Sequence, residues 1–186
     1  MYGGSGATTG PEAGTPRIEC DRLILRTFRP DDLPSFSELL ADPASFLFPA
    51  RKPMSATEAW NRLLRHFGHW SAMGHGLFAV EEKASGRLVG EVGLGDFRRG
   101  LGPAFDDFPE ATWTIAGWSR GRGYATEAAA AAQDWADRNM GVRRTVCLIH
   151  TGNQASLRVA AKLDFSAFAE REYRGYPALL LARAVD

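Results

Sequence analysis

Residues 111–150, ATWTIAGWSRGRGYATEAAAAAQDWADRNMGVRRTVCLIH, decide the architecture. The segment reads as a strand at Ala111–Ala116, a glycine-bearing turn, an alanine-rich helix over Tyr124–Asn139 and a second strand at Arg144–His150. Gly141 stands where a left-handed cap closes the helix. Two strands joined through a helix must run parallel in one sheet, because the crossover returns the chain to its starting end. The turn Arg120-Gly-Arg-Gly-Tyr-Ala125 lies at the helix N-terminus. Glycines two apart let the backbone curl and aim consecutive N–H groups at one point, and the helix dipole adds about half a positive charge there. Such a turn suits a pyrophosphate. The same two glycines could equally do no more than shape a tight strand-to-helix turn, since short glycine patterns are weak evidence alone.

Outward from this segment the chain alternates between the two periods of regular structure. Ile18–Arg26 reads as one aliphatic strand stopped by Pro30, and Asp31 as the cap of a short helix carrying Phe36, Leu39 and Leu40. Ser55-Ala-Thr-Glu58 is a capping box, and Trp60, Leu63, Leu64 and Phe67 follow as an apolar stripe. Leu77–Glu82 and Arg87–Leu94 form a hairpin across Ala84-Ser85-Gly86, and residues 96–109 form a long loop. Asn153 caps a helix running to Leu163, and Phe165–Tyr173 pairs with Ala178–Ala184 across Arg174-Gly-Tyr-Pro177. The expected class is mixed α/β, one parallel pair within a mostly antiparallel sheet. Residues 1–16, rich in Gly, Thr and Pro, read as a flexible leader, with 17–186 as a single domain.

Composition narrows the function. The 186 residues carry 22 Lys+Arg against 22 Asp+Glu, so no global field gathers nucleic acid or an anionic bilayer. No apolar run is long enough to span a membrane. The two cysteines, Cys20 and Cys147, are too few for a disulfide framework or a thiolate cage, and they read as free buried thiols of a reducing cytoplasm. His66 and His69 stand three apart on a helix without an apparent third ligand, so no metal is expected.

The turn carries a family resemblance. Arg120-x-x-Gly123-x-Ala125 matches the acyl-CoA pyrophosphate signature of the GNAT N-acyltransferases, and Gly121–Ala128, GRGYATEA, is similar to the ribosomal-protein N-terminal acetyltransferase (RimJ/RimL-like) branch. Arg22-Leu-Ile-Leu-Arg26, Glu110, Asn153-Gln-Ala-Ser156 and Lys162-Leu-Asp-Phe165 agree with that branch in order and spacing. Three positions depart from the pattern: Asp164 replaces a Gly, Ala161 a frequent Glu, and Thr112 a frequent Gly. The resemblance implies a curved sheet flanked by about four helices, with the strands at 111–116 and 144–150 splayed to admit a pantetheine arm. Acetyl-CoA would be the co-substrate, its pyrophosphate on Arg120, Gly121, Arg122, Gly123, Tyr124, Ala125 and Thr126, its pantetheine along Trp113, Ile115 and Ala116. Asn153 and Ser156 would lie near the sulfur, Ser156 as the acid that protonates the leaving thiol. Glu110 would position or deprotonate the amine.

Other candidates stay open. Tyr124, Tyr173 and Tyr176 rival Ser156 as hydroxyl donors, Glu91 rivals Glu110 or is a surface charge of the hairpin, and His150 ends a strand beside the expected cleft. Asn153 and Ser156 could also be no more than a helix cap and its first turn. Phe105 and Phe108 either line an acceptor pocket or pin their loop. Arg98, Arg99, Arg143, Arg144, Arg158 and Lys162 read most simply as solvated charge. An attacking amine must be neutral. An α-amine of pKa about 7.7–8 is roughly a tenth neutral at pH 7, whereas a lysine near 10.4 pays about 4.6 kcal/mol. With no unmistakable base in the sequence, a protein N-terminus or a weakly basic small amine is the favoured acceptor. The expected protein is a cytoplasmic acetyltransferase, monomer or homodimer, bound neither to nucleic acid nor to membrane; the other reading is an acyl-CoA sensor of the same fold without transfer.

Overall fold

The structure is a computed structural model that describes residues 16–45 and 52–184; the expected leader, apart from Pro16, lies outside the described residues. Eight strands form one sheet: β1 (Arg17–Glu19), β2 (Leu23–Arg26), β3 (Leu77–Glu82), β4 (Leu88–Gly95), β5 (Glu110–Ile115), β6 (Arg144–His150), β7 (Ser166–Tyr173) and β8 (Tyr176–Ala184). Their spatial order is β1-β2-β3-β4-β5-β6-β8-β7, and every neighbouring pair is antiparallel except β5 with β6. The α-helices are α1 (Leu33–Ala41), α2 (Ala56–Met73), the single turn α3 (Pro103–Asp106), α4 (Tyr124–Asn139) and α5 (Gln154–Lys162).

The alternation of strand side chains divides the core between the two faces of the sheet. One face carries Leu23, Leu25, Phe78, Val80, Val89, Ile115, Cys147 and Ile149 beneath α4 and α5. Its alanines at 128, 129, 132 and 136 are buried, so α4 lies close against the strands. The other face meets α1 and α2 through Phe28, Phe36, Leu40, Leu63 and Ala79. Val146 and Leu180 continue that second face and bury Phe105 of α3. A bulge shifts the register here: Val80 pairs with Gly90 but Glu81 with Leu88, leaving Val89 extra. The bulge is what sets Glu91 toward α2.

Four local expectations need correction. A 3-10 turn at Pro30–Asp32 precedes α1, so Asp32 and not Asp31 stands at the N-cap. Ile18–Arg26 is two strands, because Cys20 N–H bonds Leu23 C=O at 2.9 Å and turns the chain at Asp21-Arg22. On α2 the buried line is Ala59, Leu63 and His66, while Trp60 and Leu64 of the expected stripe are exposed. The loop 96–109 contains α3, and Phe105 at 2% exposure pins it to the sheet rather than lining a pocket. The capping box at Ser55 is present, with Glu58 N–H on Ser55 Oγ and Ser55 N–H on Glu58 Oε2. Cys20 and Cys147 are both free, the second buried and the first half-buried.

Candidate active site

β5 and β6 touch only at their beginnings, where Glu110 faces Val146 and the Val146 amide bonds Pro109 C=O at 3.0 Å. Beyond that bridge they diverge around a cleft of about 530 Å³. The edge of β5 is set by its other neighbour. Ala116 N–H bonds Val89 C=O at 2.8 Å, so by alternation the backbone groups of Ala111, Trp113 and Ile115 turn into the gap. Ala116 itself does not: its amide serves β4, and its carbonyl accepts from Ser119 N and Oγ at 3.0 and 3.1 Å.

At the open end of the splay stands the glycine turn. Gly121 has φ +76° and Gly123 φ +81°, a left-handed region that any Cβ would strain. Around Gly121 a Cβ would meet nothing within 4 Å, so dihedral geometry, not space, requires the glycine. Gly121, Gly123, Tyr124, Ala125 and Thr126 all line the cleft, at the foot of the sixteen-residue α4.

The turn is braced from behind. The Arg22 backbone N–H and Nε donate to Glu127 at 2.9 and 2.8 Å, and Arg22 Nη1 donates to the Arg122 carbonyl at 2.7 Å. The Tyr124 hydroxyl donates to Glu82 at 2.5 Å, and Arg122 Nη1 does so at 3.1 Å. Hydrogen bonds from Ser85 and Tyr124, with the charge of Arg122, hold the Glu82 carboxyl below its usual range. Tyr124 is therefore tied down within the wall as a brace.

The opposite wall is α5. Asn153 Oδ1 accepts from Ser156 N–H at 3.1 Å, so Asn153 is an N-cap that also lines the cleft. Ser156 is half-buried in the same lining, with the exposed Arg158 and Lys162 beyond it. The turn after α5 carries Asp164 at φ +61°, where the family pattern has Gly. Asp adopts this conformation with less strain than most residues, so the helix keeps its place.

On the α1–α2 side the cleft is closed by an ion pair that the sequence reading treated as separate charges. Glu110 is 4% exposed and grips Arg99 through both carboxylate oxygens, Nη2 to Oε1 at 2.7 Å. Arg99 Nη1 also donates to Tyr173 Oη at 2.9 Å. Burial works against the Arg99 charge, yet the bonds to Glu110 and Tyr173 outweigh it and raise its pKa. Arg99 is thus no solvated charge. Neither is Arg144, which stacks over Phe108 and Phe168 at 4.8 Å from each ring.

Glu91 is likewise buried, at 1% exposure, where a hairpin surface charge was one expectation. It binds Arg62 through both its oxygens and His66 Nε2 at 3.0 Å. Burial alone would raise the Glu91 pKa; the charge of Arg62 and the His66 bond outweigh it and hold the carboxyl far below its usual range. His69 is fixed by Asp96 N–H, which donates to Nε2 at 2.8 Å, leaving Nδ1 to donate to His75 C=O at 2.7 Å. Among the described residues no group of His, Cys, Asp and Glu could hold a metal ion, and no helix is long and apolar enough to cross a membrane.

Comparison with known proteins agrees with this geometry. Residues 22–166 match the acetyltransferase (GNAT) domain family, and the chain belongs to that family. A protein assigned to the GnaT-family acetyltransferases, from Bordetella pertussis, is 33% identical with TM-score 0.83, the match covering 91% of this chain and 99% of that one. An acetyltransferase from Agrobacterium tumefaciens is 24% identical with TM-score 0.75, over 98% and 100% of the two chains. The ribosomal-protein-S5-alanine acetyltransferase of Vibrio fischeri shares the fold at 18% identity and TM-score 0.68, over 91% and 96%.

The cleft thus gathers Glu110, Trp113, Ile115, Arg120, Gly121, Gly123, Tyr124, Ala125, Thr126, Asn153 and Ser156, all but Ala116 and Arg122 of the expected residues. Arg122 instead has its guanidinium on Glu82. Sequence reasoning missed Arg22, Glu82 and Glu127 as braces and Arg99 as the partner of Glu110. Arg22 and Glu127 lie 105 positions apart, and no local pattern couples them.

Proposed function

We propose that the chain moves an acetyl group from acetyl-CoA to a primary amine, a protein N-terminus or a small amine, by direct attack. The observation that carries this reading is the pair of left-handed glycines at the mouth of a splayed parallel strand pair. The residues present fit the cofactor: the turn at 121–126 offers backbone donors and a helix N-terminus for the diphosphate. Trp113 and Ile115 turn backbone edge groups inward for the pantetheine amides, and Arg120, Arg158 and Lys162 add positive charge along the lining. Bound acetyl-CoA supplies a thioester, an electrophilic carbonyl with a thiol leaving group.

The remaining chemistry belongs to the protein. The cleft holds the amine against the β5 edge and excludes water; orientation of this kind is worth up to about 7–11 kcal/mol of the barrier for two bound reactants. Ser156, on the first turn of α5, gives its hydroxyl proton to the departing sulfur, and Asn153 fixes that turn. A thiol of pKa about 8.5 needs only such weak acid help. Glu110, bound by both oxygens to Arg99, serves to orient the guanidinium and Tyr173 on the acceptor side. Residues 17–186 act as one domain, and the acceptor is an α-amine or another amine partly neutral at pH 7.

The test is calorimetric titration with acetyl-CoA beside thiol release on a panel of amino acids, dipeptides and polyamines. The proposal expects saturable binding, lost in Gly123→Val, and turnover reduced about 10²-fold or more in Ser156→Ala. Tight binding retained by Gly123→Val refutes the cradle. Binding without thiol release on any amine leaves the sensor reading in its place.

A further inference from the structure

We infer that His150 receives the proton of the attacking amine. The inference rests on the acetyl-transfer reading and adds the base that the reading lacks. His150 is the last residue of β6, at the wide end of the splay, and it lines the cleft three positions before Asn153. Cys147 and Ile149 belong to the α4–α5 face, so alternation along β6 sends Leu148 and His150 to the other face. That face carries Arg99, Glu110 and Tyr173, whereas the glycine turn and Ser156 stand on the α4–α5 side. His150 therefore lies across the cleft from the group assigned to the thiol, on the side left for the amine.

The other titratable groups of the lining are unsuited to the task. Glu110 has both oxygens on Arg99. Tyr124 is tied to Glu82. Burial pushes the Cys147 thiol well up, and Cys147 faces the α4–α5 core. Glu91 is enclosed by Arg62 and His66 and does not line the cleft. Among the described lining residues, the His150 imidazole is the side chain whose ordinary range spans neutrality. It lies beside two aromatic rings, with Tyr176 of β8 at 5.8 Å and Tyr173 of β7 at 6.4 Å between centroids. Among the described residues, the charged and titratable groups on this side of the cleft are these two tyrosines, Arg174 of the β7–β8 turn, Arg99 of the loop and Glu110 of β5. Arg158 and Lys162 come from α5.

The step balances. As the amine nitrogen bonds the acyl carbon, one N–H proton passes to the imidazole while the carbon–sulfur bond breaks and the sulfur takes the Ser156 proton. The imidazolium then releases its proton to solvent and Ser156 regains one, so amine and thioester give amide and thiol with no net proton change.

His150→Gln keeps a side chain of similar reach without an ionisable ring. The probes are acetyl-CoA with glycylglycine and with tetrapeptides beginning in Ser, Ala or Met. The inference expects acetyl-CoA affinity by calorimetry within about twofold of wild type and kcat/KM lower by about 10²–10⁴-fold. It also expects the acid limb of log kcat/KM to change from a slope near two, with amine and imidazole both titrating, to a slope near one. Turnover within threefold of wild type, or an unchanged slope, overturns it. Loss of acetyl-CoA binding in the variant overturns it as well, by making His150 a structural or cofactor residue. A wild-type protein that neither binds acetyl-CoA nor releases thiol refutes the acetyl-transfer reading itself and takes this inference with it, a distinct result.

Discussion

Glu91→Gln tests whether the carboxylate under β4 is a buried counter-ion or a base. Glu91 is 1% exposed and Arg62, bonded through both its oxygens, has a side chain only 12% exposed. A glutamine keeps one acceptor oxygen but turns an NH2 toward a donor, and it leaves the Arg62 guanidinium without its charge partner. Breaking a buried pair from one side costs about 3–5 kcal/mol. For a chain of this size each kcal/mol is about 2–4 °C in Tm, so the expected fall is about 6–20 °C. The sign with pH follows from the depressed carboxyl. Its contribution is complete above the unfolded-state value of about 4.3 and is lost as pH falls below it toward the lower folded value. Stability curves of wild type and variant should therefore converge on acidification. Urea titrations between pH 3 and 8 measure this, and turnover well below the Tm should be nearly unchanged. A variant within 1 kcal/mol of wild type at pH 7 refutes the reasoning; an intact Tm with turnover lost assigns Glu91 to catalysis.

Three further substitutions probe the frame around the cleft. Asp164→Gly relieves a residue at φ +61° and should stabilise by about 0.5–1 kcal/mol in urea, the strain relieved exceeding the added unfolded-state entropy. Arg22→Ala removes the brace between Glu127 and the Arg122 carbonyl; acetyl-CoA affinity should weaken about tenfold by calorimetry, close to 1.4 kcal/mol. Gly90→Ala drives a Cβ into the Thr114 carbonyl oxygen, so the β4–β5 pair must open and Tm should fall by the equivalent of about 1–3 kcal/mol.

The sequence was most legible where local chemistry and tertiary packing agree. The bounds of α4 and β6 are those read from the sequence, because an alanine-rich helix between two aliphatic strands leaves little choice. The glycine turn was legible for the same reason, its conformation being local. The first strand misled because the polar Asp21-Arg22 pair reads as strand filler until Cys20 bonds Leu23 across it. Trp60 and Leu64 misled because periodicity gives a stripe without saying which edge of it the sheet covers. The ion pairs were invisible: Arg62 meets Glu91 across 29 positions, and only the bulge in β4 turns Glu91 toward α2. Arg99 lies 11 residues from Glu110, and α3 folds the intervening loop so that they meet.

The central claim is that amides of the 121–126 turn bind a diphosphate. Amide-resolved NMR of the labelled protein during titration with coenzyme A tests it most directly. The account predicts large saturable shifts at Gly121, Gly123, Ala125 and Thr126, absent when pantetheine replaces coenzyme A. Saturable binding that shifts amides elsewhere and leaves these four unmoved would contradict it.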